Sequence, residues 1–412
     1  MITRYYKGNY STYIKLINSI QIGGAYMASI TVGLIPSPDM PHKMVNKIYD
    51  ELPRALQEQT NDEGWRFDKH VASIVGTAEH MDKAMDIATN MKKQKEWDYA
   101  ICITDLPNFS NRKTVICDIN YDNNIALISL PVLGAIALKK KLKHFITYVI
   151  QLLQSSGSDK QLLNNRHFKL TQFNTVIPNE EAQDQNHQRI IVKSTTIGWL
   201  HLIAGMTYAN EPWSTIFDFK KIISVSFATG TYISIFSTPW DLSLEYDYWR
   251  FILLMLLSIF GMVCWLIYSY NLWERQSPKT QKLYRYIYNF TTVTTLTTIT
   301  LFNFLSLFLL LTVSTLLFVP PELFSNWTTL NSKEPTLINY INLIWFITSL
   351  GILAGAMGST VENAEKIKRV TYSFRQYYRN KQLEQEDEDT YDKHEEHHSY
   401  VGQKQTHREE RN

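Results

Sequence analysis

The chain has 412 residues, and 41 basic side chains against 39 acidic ones leave a formal charge of +2, which gives no electrostatic case for a nucleic-acid partner. Its 45% apolar content and mean hydropathy of −0.20 look soluble only because a polar N-terminal half and tail are averaged with an apolar block from about Phe217 to Thr360. Three cysteines, Cys102, Cys117 and Cys264, form no CxxC pair and exclude a disulfide framework; Cys102 and Cys117 fall in apolar runs and read as buried thiols of a reducing compartment.

Residues 1–26 are polar and tyrosine-rich and contain no signal-peptide core. Gly23-Gly24 precedes Met27 where a ribosome-binding sequence would be encoded. Translation is therefore expected to start at Met27, with 1–26 a misassigned upstream extension.

From Ser29 onward strands and helices alternate. Ile30–Ile35 reads as a strand that ends in the stiff loop Pro36-Ser37-Pro38-Asp39-Met40-Pro41. A helical stripe follows over His42–Gln59, with Pro53 predicting a kink or an early end. Trp65–Val75 reads as a strand and Glu79–Gln94 as a helix. Asp98–Thr104, Thr114–Ile119 and Ile125–Leu130 read as three more strands, the last two joined by turn chemistry at Asn120–Asn124. Leu133–Gln154 closes the unit as a long helix. This pattern predicts a mixed, mostly parallel α/β domain over 27–155.

Polar side chains gather at the expected carboxyl ends of these strands, the edge at which open α/β sheets bind ligands. They are the candidate ligand-binding residues Ser37, Thr104 and Ser129 and the candidate catalytic residues Asp39, Asp105 and Asp118. Three carboxylates can hold a divalent cation or act as acid and base; they can equally be loop and cap residues. No metal site and no cofactor is specified. The chain has no GxGxxG, GxxxxGK[ST] or GxSxG. One HExxH, at His394–His398, lies in a charged tail without an apolar face and does not read as a zinc site.

Residues 156–197 read as a polar linker with a possible hairpin, Phe168–Ile177 against Arg189–Lys193. The stretch 198–213 (GWLHLIAGMTYANEPW) reads either as an interfacial amphipathic helix on the inner leaflet or as a core helix of the soluble domain. Four spans are expected in 217–360: 222–240, 251–270, 293–319 and 337–357. Lys and Arg cluster in 275–285 and 366–379, which places both chain ends on the cytoplasmic side of the cell membrane. Threonines and Asn303 in the third span either line a polar pathway or join helices. Gly351 and Gly355 allow close helix approach, within the chain or in a homo-oligomer. Residues 361–412 form a basic, then acidic and His-rich, tail.

Four stretches together resemble a family of uncharacterised Gram-positive bacterial membrane proteins: VGLIPSPDMP at Val32–Pro41, WDYAICITDLP at Trp97–Pro107, ALISLPVLGA at Ala126–Ala135 and GWLHLIAGMTYANEPW at Gly198–Trp213. The resemblance implies a soluble N-terminal domain followed by several spans. Some similar proteins carry a methylenetetrahydrofolate dehydrogenase label, for which this chain has neither a dinucleotide loop nor a matching Tyr-x-x-x-Lys. A second likeness is to the zincin metallopeptidase fold, where ITDLP, ALISL and a helix follow in the same order. His144-Phe145-Ile146-Thr147-Tyr148 stands here in place of HExxH, which implies a derivative without catalysis. The leading expectation is a multi-pass membrane protein whose cytosolic α/β domain binds a ligand or partner in a sensing, regulatory or accessory role. The alternatives are a membrane-bound hydrolase using the aspartates and a small transporter or export subunit.

Overall fold

The computed structural model describes residues 29–60, 64–73, 81–155, 169–171, 174–178, 187–215, 219–275, 282–330, 333–358 and 364–368, with Thr371 and Phe374. The expected start at Met27 and the His394–His398 motif lie outside the described residues.

The first half builds a twisted sheet from β1 (Ile30–Pro36), β2 (Trp65–Lys69), β3 (Tyr99–Thr104), β4 (Phe109–Ser110), β5 (Lys113–Asn120) and β6 (Ile125–Ser129). Between them run α1 (Met40–Ile48), α2 (Leu52–Thr60) and α3 (Met81–Gln94), and α4 (Leu138–Gln154) follows. Pro53 acts as its chemistry requires: without an N–H, and with a ring that would strike the carbonyl four residues back, it starts α2 after a tight turn at Tyr49–Glu51. Strand order is β2-β1-β3-β6-β5, with β1, β2, β3 and β6 parallel and β5 antiparallel to β6. The mixed sheet is the one the alternating pattern predicts. Both faces are covered, so β1, β3, β5 and β6 are nearly continuous runs of buried residues.

The sheet does not stop at residue 155. β9 (His187–Val192) pairs antiparallel with β5, β8 (Asn174–Pro178) with β9, and β7 (Lys169–Thr171) with β8. The hairpin expected in the linker thus extends the sheet, and β9 covers what would otherwise be its open edge.

After β9 come α5 (Thr195–Ala209) and α6 (Pro212–Thr215), then α7 (Lys220–Ser234), α8 (Ser237–Glu245), α9 (Tyr248–Ser269), α10 (Lys282–Phe318), α11 (Pro321–Asn326), α12 (Leu337–Gly358) and α13 (Ala364–Lys368). Three of these, α9, α10 and α12, are long and apolar enough to cross a membrane. The stretch expected as the first span is divided: α7 ends at Ser234 and α8 begins at Ser237, with Phe236 extended between them. Pro239 explains the break, because in a continuous helix its ring would strike the carbonyl of Ile235. The Trp240 indole crosses the gap and donates to the carbonyl of Ser234 at 2.8 Å. At 15 residues α7 is about 22 Å long, short of the about 30 Å of a bilayer core.

Glycines bring α12 onto α7. A Cβ at Gly355 would lie 1.9 Å from Ser226 Oγ, and one at Gly351 would lie 2.9 Å from the Ser226 carbonyl oxygen. Gly351 and Gly355 are therefore covered by α7 of the same chain. On α7 itself, Gly230 admits Leu311 of α10, whose Cδ1 is 2.8 Å from the position of the missing Cβ.

The helix α10 belongs to two cores. With 37 residues it is about 55 Å long, well beyond one bilayer core. Its first three turns place Tyr284, Ile287 and Tyr288 in the core of the α/β domain, where the Tyr284 ring meets Phe109 edge-on at 5.5 Å. Farther along, Leu296, Ile299, Leu307 and Leu311 pack in the helical core.

Candidate functional site at the carboxyl edge of the sheet

Registers across the sheet align the candidate hydroxyl residues. Pro36 pairs with Ile103 and Thr104 with Ser129, so Ser37, Thr104 and Ser129 form a row across β1, β3 and β6. All three are buried. Their bonds go to the protein itself: Ser129 Oγ donates to the Leu106 carbonyl at 2.6 Å, Thr104 Oγ1 accepts from Leu106 N at 3.2 Å, and Ser37 N donates to the Ile103 carbonyl at 2.8 Å. This row closes the turn after β3.

The three aspartates have different surroundings. Asp39 is exposed at the start of α1 and holds a left-handed backbone (φ 69°), a costly conformation for a residue with a Cβ. Asp105 is buried in the turn after β3. Asp118 sits within β5, opposite Leu127 of β6, and both its oxygens accept from Arg189 Nε at 3.2 Å. β1 and β5 are three strand spacings apart, which separates the positions of Asp39 and Asp118 by about 14 Å. The loop that continues from Asp105 folds back over β5, where the Asn108 side chain donates to the Asp118 carboxylate. Burial pushes the Asp118 carboxyl above its ordinary range, and the opposing pull of the Arg189 guanidinium does not offset it.

Among the described residues no three His, Cys, Asp or Glu side chains stand close enough to share a metal ion. On α4, at the positions of the zincin-like motif, His144 is exposed, and burial and the neighbouring Lys143 and Lys140 lower its pKa. Thr147 is buried and donates to the His144 carbonyl at 2.9 Å. The half-buried Tyr148 is pushed up to about 12 by burial, beside Cys117. Tyr121 donates to Gln188 of β9 across the same region. Tyr121, Thr147 and Tyr148 are at least partly buried, and the Tyr121 and Thr147 hydroxyls are paired, which suits packing better than proton transfer.

What the carboxyl edge does hold is the helical half of the chain. The tight turn Leu130–Leu133 after β6 lies under α5, and a Cβ at Gly205 would be 2.0 Å from the Pro131 carbonyl oxygen. His201 stacks over Gly134, whose φ of 79° is one a side chain rarely adopts. Lys43 of α1 reaches Glu211, after α5, with both carboxylate oxygens within 2.9 Å. Past that point α5 runs beside α10: Thr207 and Thr294 hydroxyls are 2.9 Å apart, Asn210 Nδ2 donates to Thr295 Oγ1 at 2.8 Å, and Met206 and Thr291 are in contact. The four stretches Val32–Pro41, Trp97–Pro107, Ala126–Ala135 and Gly198–Trp213 meet here.

α5 is thus packed on one side by the sheet domain, with Leu202 and Met206 fully buried, while Leu200 remains 65% exposed. The sequence reading did not find Arg189 as the partner of Asp118, nor Lys43 as that of Glu211. It also began the third span at 293, although Tyr284, Ile287, Tyr288 and Thr291 show the i, i+3, i+4, i+7 spacing of a buried helical face.

No protein-family model matches the chain, and neither the curated proteins nor the solved structures contain a match.

Proposed function

We propose that this is an integral protein of the cell membrane, in which four helical passes carry a cytosolic α/β domain that binds a ligand or partner without catalysis, in a sensing, regulatory or accessory role. We also place it beside the Gram-positive membrane-protein family that the four stretches resemble, and read the α4 region as a non-catalytic relative of the zincin arrangement. The fourth pass in this reading is α7 continued by α8. The observation that carries the proposal is α10, one helix shared by both cores. A ligand that shifts the domain moves a rigid helix that enters the bilayer, so domain state and membrane state are mechanically linked. Lys282 and Arg285 lie in the first turn of α10, beside Tyr284 in the domain core, and with Arg275 they support a cytoplasmic domain and cytoplasmic chain ends.

Carbonate-washed membranes and a thermal scan test this. The protein should stay in the membrane fraction and unfold in one transition. A Val293→Pro variant, broken between the two cores, should unfold in two; a single unchanged transition would remove the linkage. A transport role is the second reading. It is favoured by the inward-facing polar side of α10, where Thr291, Thr292, Thr295, Thr300 and Asn303 are all buried.

A further inference from the structure

Asn303 is 1% exposed, and neither its carboxamide oxygen nor its nitrogen has a hydrogen-bond partner among the described residues. One turn earlier on the same face, the buried Thr300 hydroxyl is also unpartnered, although Thr292, Thr294, Thr298 and Thr312 of this helix all bond to carbonyls four residues back. The ridge Asn303-Leu307-Leu311 points into the groove between α7 and α12: Leu307 lies 3.2 Å from the Cβ position of Gly351, and Leu311 lies against Gly230. Because α12 runs opposite to α10, one turn back from Leu307 brings Asn303 level with Gly355. There the buried, unpartnered Ser226 hydroxyl fills the space left by the missing Cβ. Leaving a buried polar group unpaired costs about 1–3 kcal/mol, and Asn303, Thr300 and Ser226 together present four such atoms on α7 and α10.

We propose that α7, α10 and α12 enclose a polar binding site centred on Asn303, closed on one side by Leu307 and Leu311. Its ligand is neutral and both donates and accepts hydrogen bonds, as water or a small amide does. The carboxamide offers one donor and one acceptor group, the hydroxyls offer both, and a buried water needs two to four such partners. A bare cation does not fit, because 293–318, 222–234 and 337–358 contain no Asp or Glu to balance it in a low dielectric.

Cysteine accessibility in proteoliposomes tests the site, in a Cys264→Ser background with a small methanethiosulfonate. Asn303→Cys should be modified about tenfold faster than the lipid-facing Leu309→Cys, because only a hydrated thiol ionises to the reactive thiolate. Thr300→Cys, nearly isosteric, should also react and keeps the test open if Asn303→Cys fails to fold. Added urea distinguishes the sources: an unchanged rate identifies water as the occupant, and a slowed rate identifies a small amide. Asn303→Cys and Thr300→Cys both as slow as Leu309→Cys would overturn the proposal, as would Leu311→Cys reacting as fast as Asn303→Cys. The site rests on the membrane reading only for its surroundings. A fast Leu309→Cys would count against membrane embedding, whereas a slow one beside slow Asn303→Cys and Thr300→Cys would count against the site.

Discussion

Replacing Gly205 by alanine puts two effects of opposite sign against each other. In a helix interior alanine is favoured over glycine by about 1 kcal/mol, so propensity alone makes Gly205→Ala stabilising. The structure predicts the reverse. The new Cβ would stand 2.0 Å from the Pro131 carbonyl oxygen, against about 3.3 Å for a tolerable C···O contact. The obstacle is backbone in a tight turn that cannot rotate away, so α5 must withdraw by about 1 Å. A gap of that size forfeits between about a quarter and a half of the dispersion energy of the flanking contacts, here those of Leu202 and Met206. Overpacking of this kind costs about 1–3 kcal/mol, and subtracting the propensity gain of about 1 kcal/mol leaves a net loss of about 0–2 kcal/mol. Denaturant or thermal unfolding in detergent, beside Ala204→Gly at the exposed neighbouring position, reads the sign. The control should lose about 1 kcal/mol from propensity alone. A stabilised Gly205→Ala would show that the sheet edge is not seated on α5 as described.

The remaining predictions address separate contacts. Gly355→Leu should push α12 off α7 and lower the yield of folded protein, because Ser226 and the Ile222 carbonyl occupy the only space for the side chain; normal folding and stability would mean that the two helices do not touch. Lys43→Ala should cost less than about 1 kcal/mol, well below Gly205→Ala, since the Lys43–Glu211 pair is half exposed and screened. Burial raises the folded pKa of Asp118 above its ordinary value of 3.8, so the folded state binds the proton more tightly than the unfolded one. The carboxyl's contribution to stability is therefore greatest below 3.8 and declines as pH rises through the folded value, and Asp118→Asn should remove this slope from the stability–pH profile. Cys102, pushed to about 12 by burial, and Cys117, also pushed well up by burial, should resist alkylation until the protein is unfolded, as intact-mass analysis would show.

The sheet was legible because its signals are local. Apolar runs such as Tyr99–Thr104 and Ile125–Ser129 are bounded by turn residues, and Pro53 marks its own helix start. Register was not legible, since nothing local reveals that Thr104 lies opposite Ser129. The same limit hid the pairing of Asp118 on β5 with Arg189 on β9. Hydropathy found α9 and α12 to within three residues but did not reveal that the first expected span is divided. Averaging over 222–240 passed across Pro239, whose steric demand divides that stretch into α7 and α8. The polar edge residues drew attention as a ligand site because short hydroxyl and carboxylate side chains serve equally well to close turns. Thr104 and Ser129 do the latter, through their bonds to Leu106.

A disulfide between α5 and α10 tests the central claim, that the sheet domain and the long apolar helices share one joint, most directly. The Thr207 and Thr294 hydroxyl oxygens are 2.9 Å apart, so cysteines at both positions are placed to bond with little backbone movement. The account predicts that Thr207→Cys/Thr294→Cys, oxidised mildly in native membranes and digested, yields the linked peptide pair in high proportion. Two free peptides under the same oxidation, from protein that is otherwise folded, would contradict it.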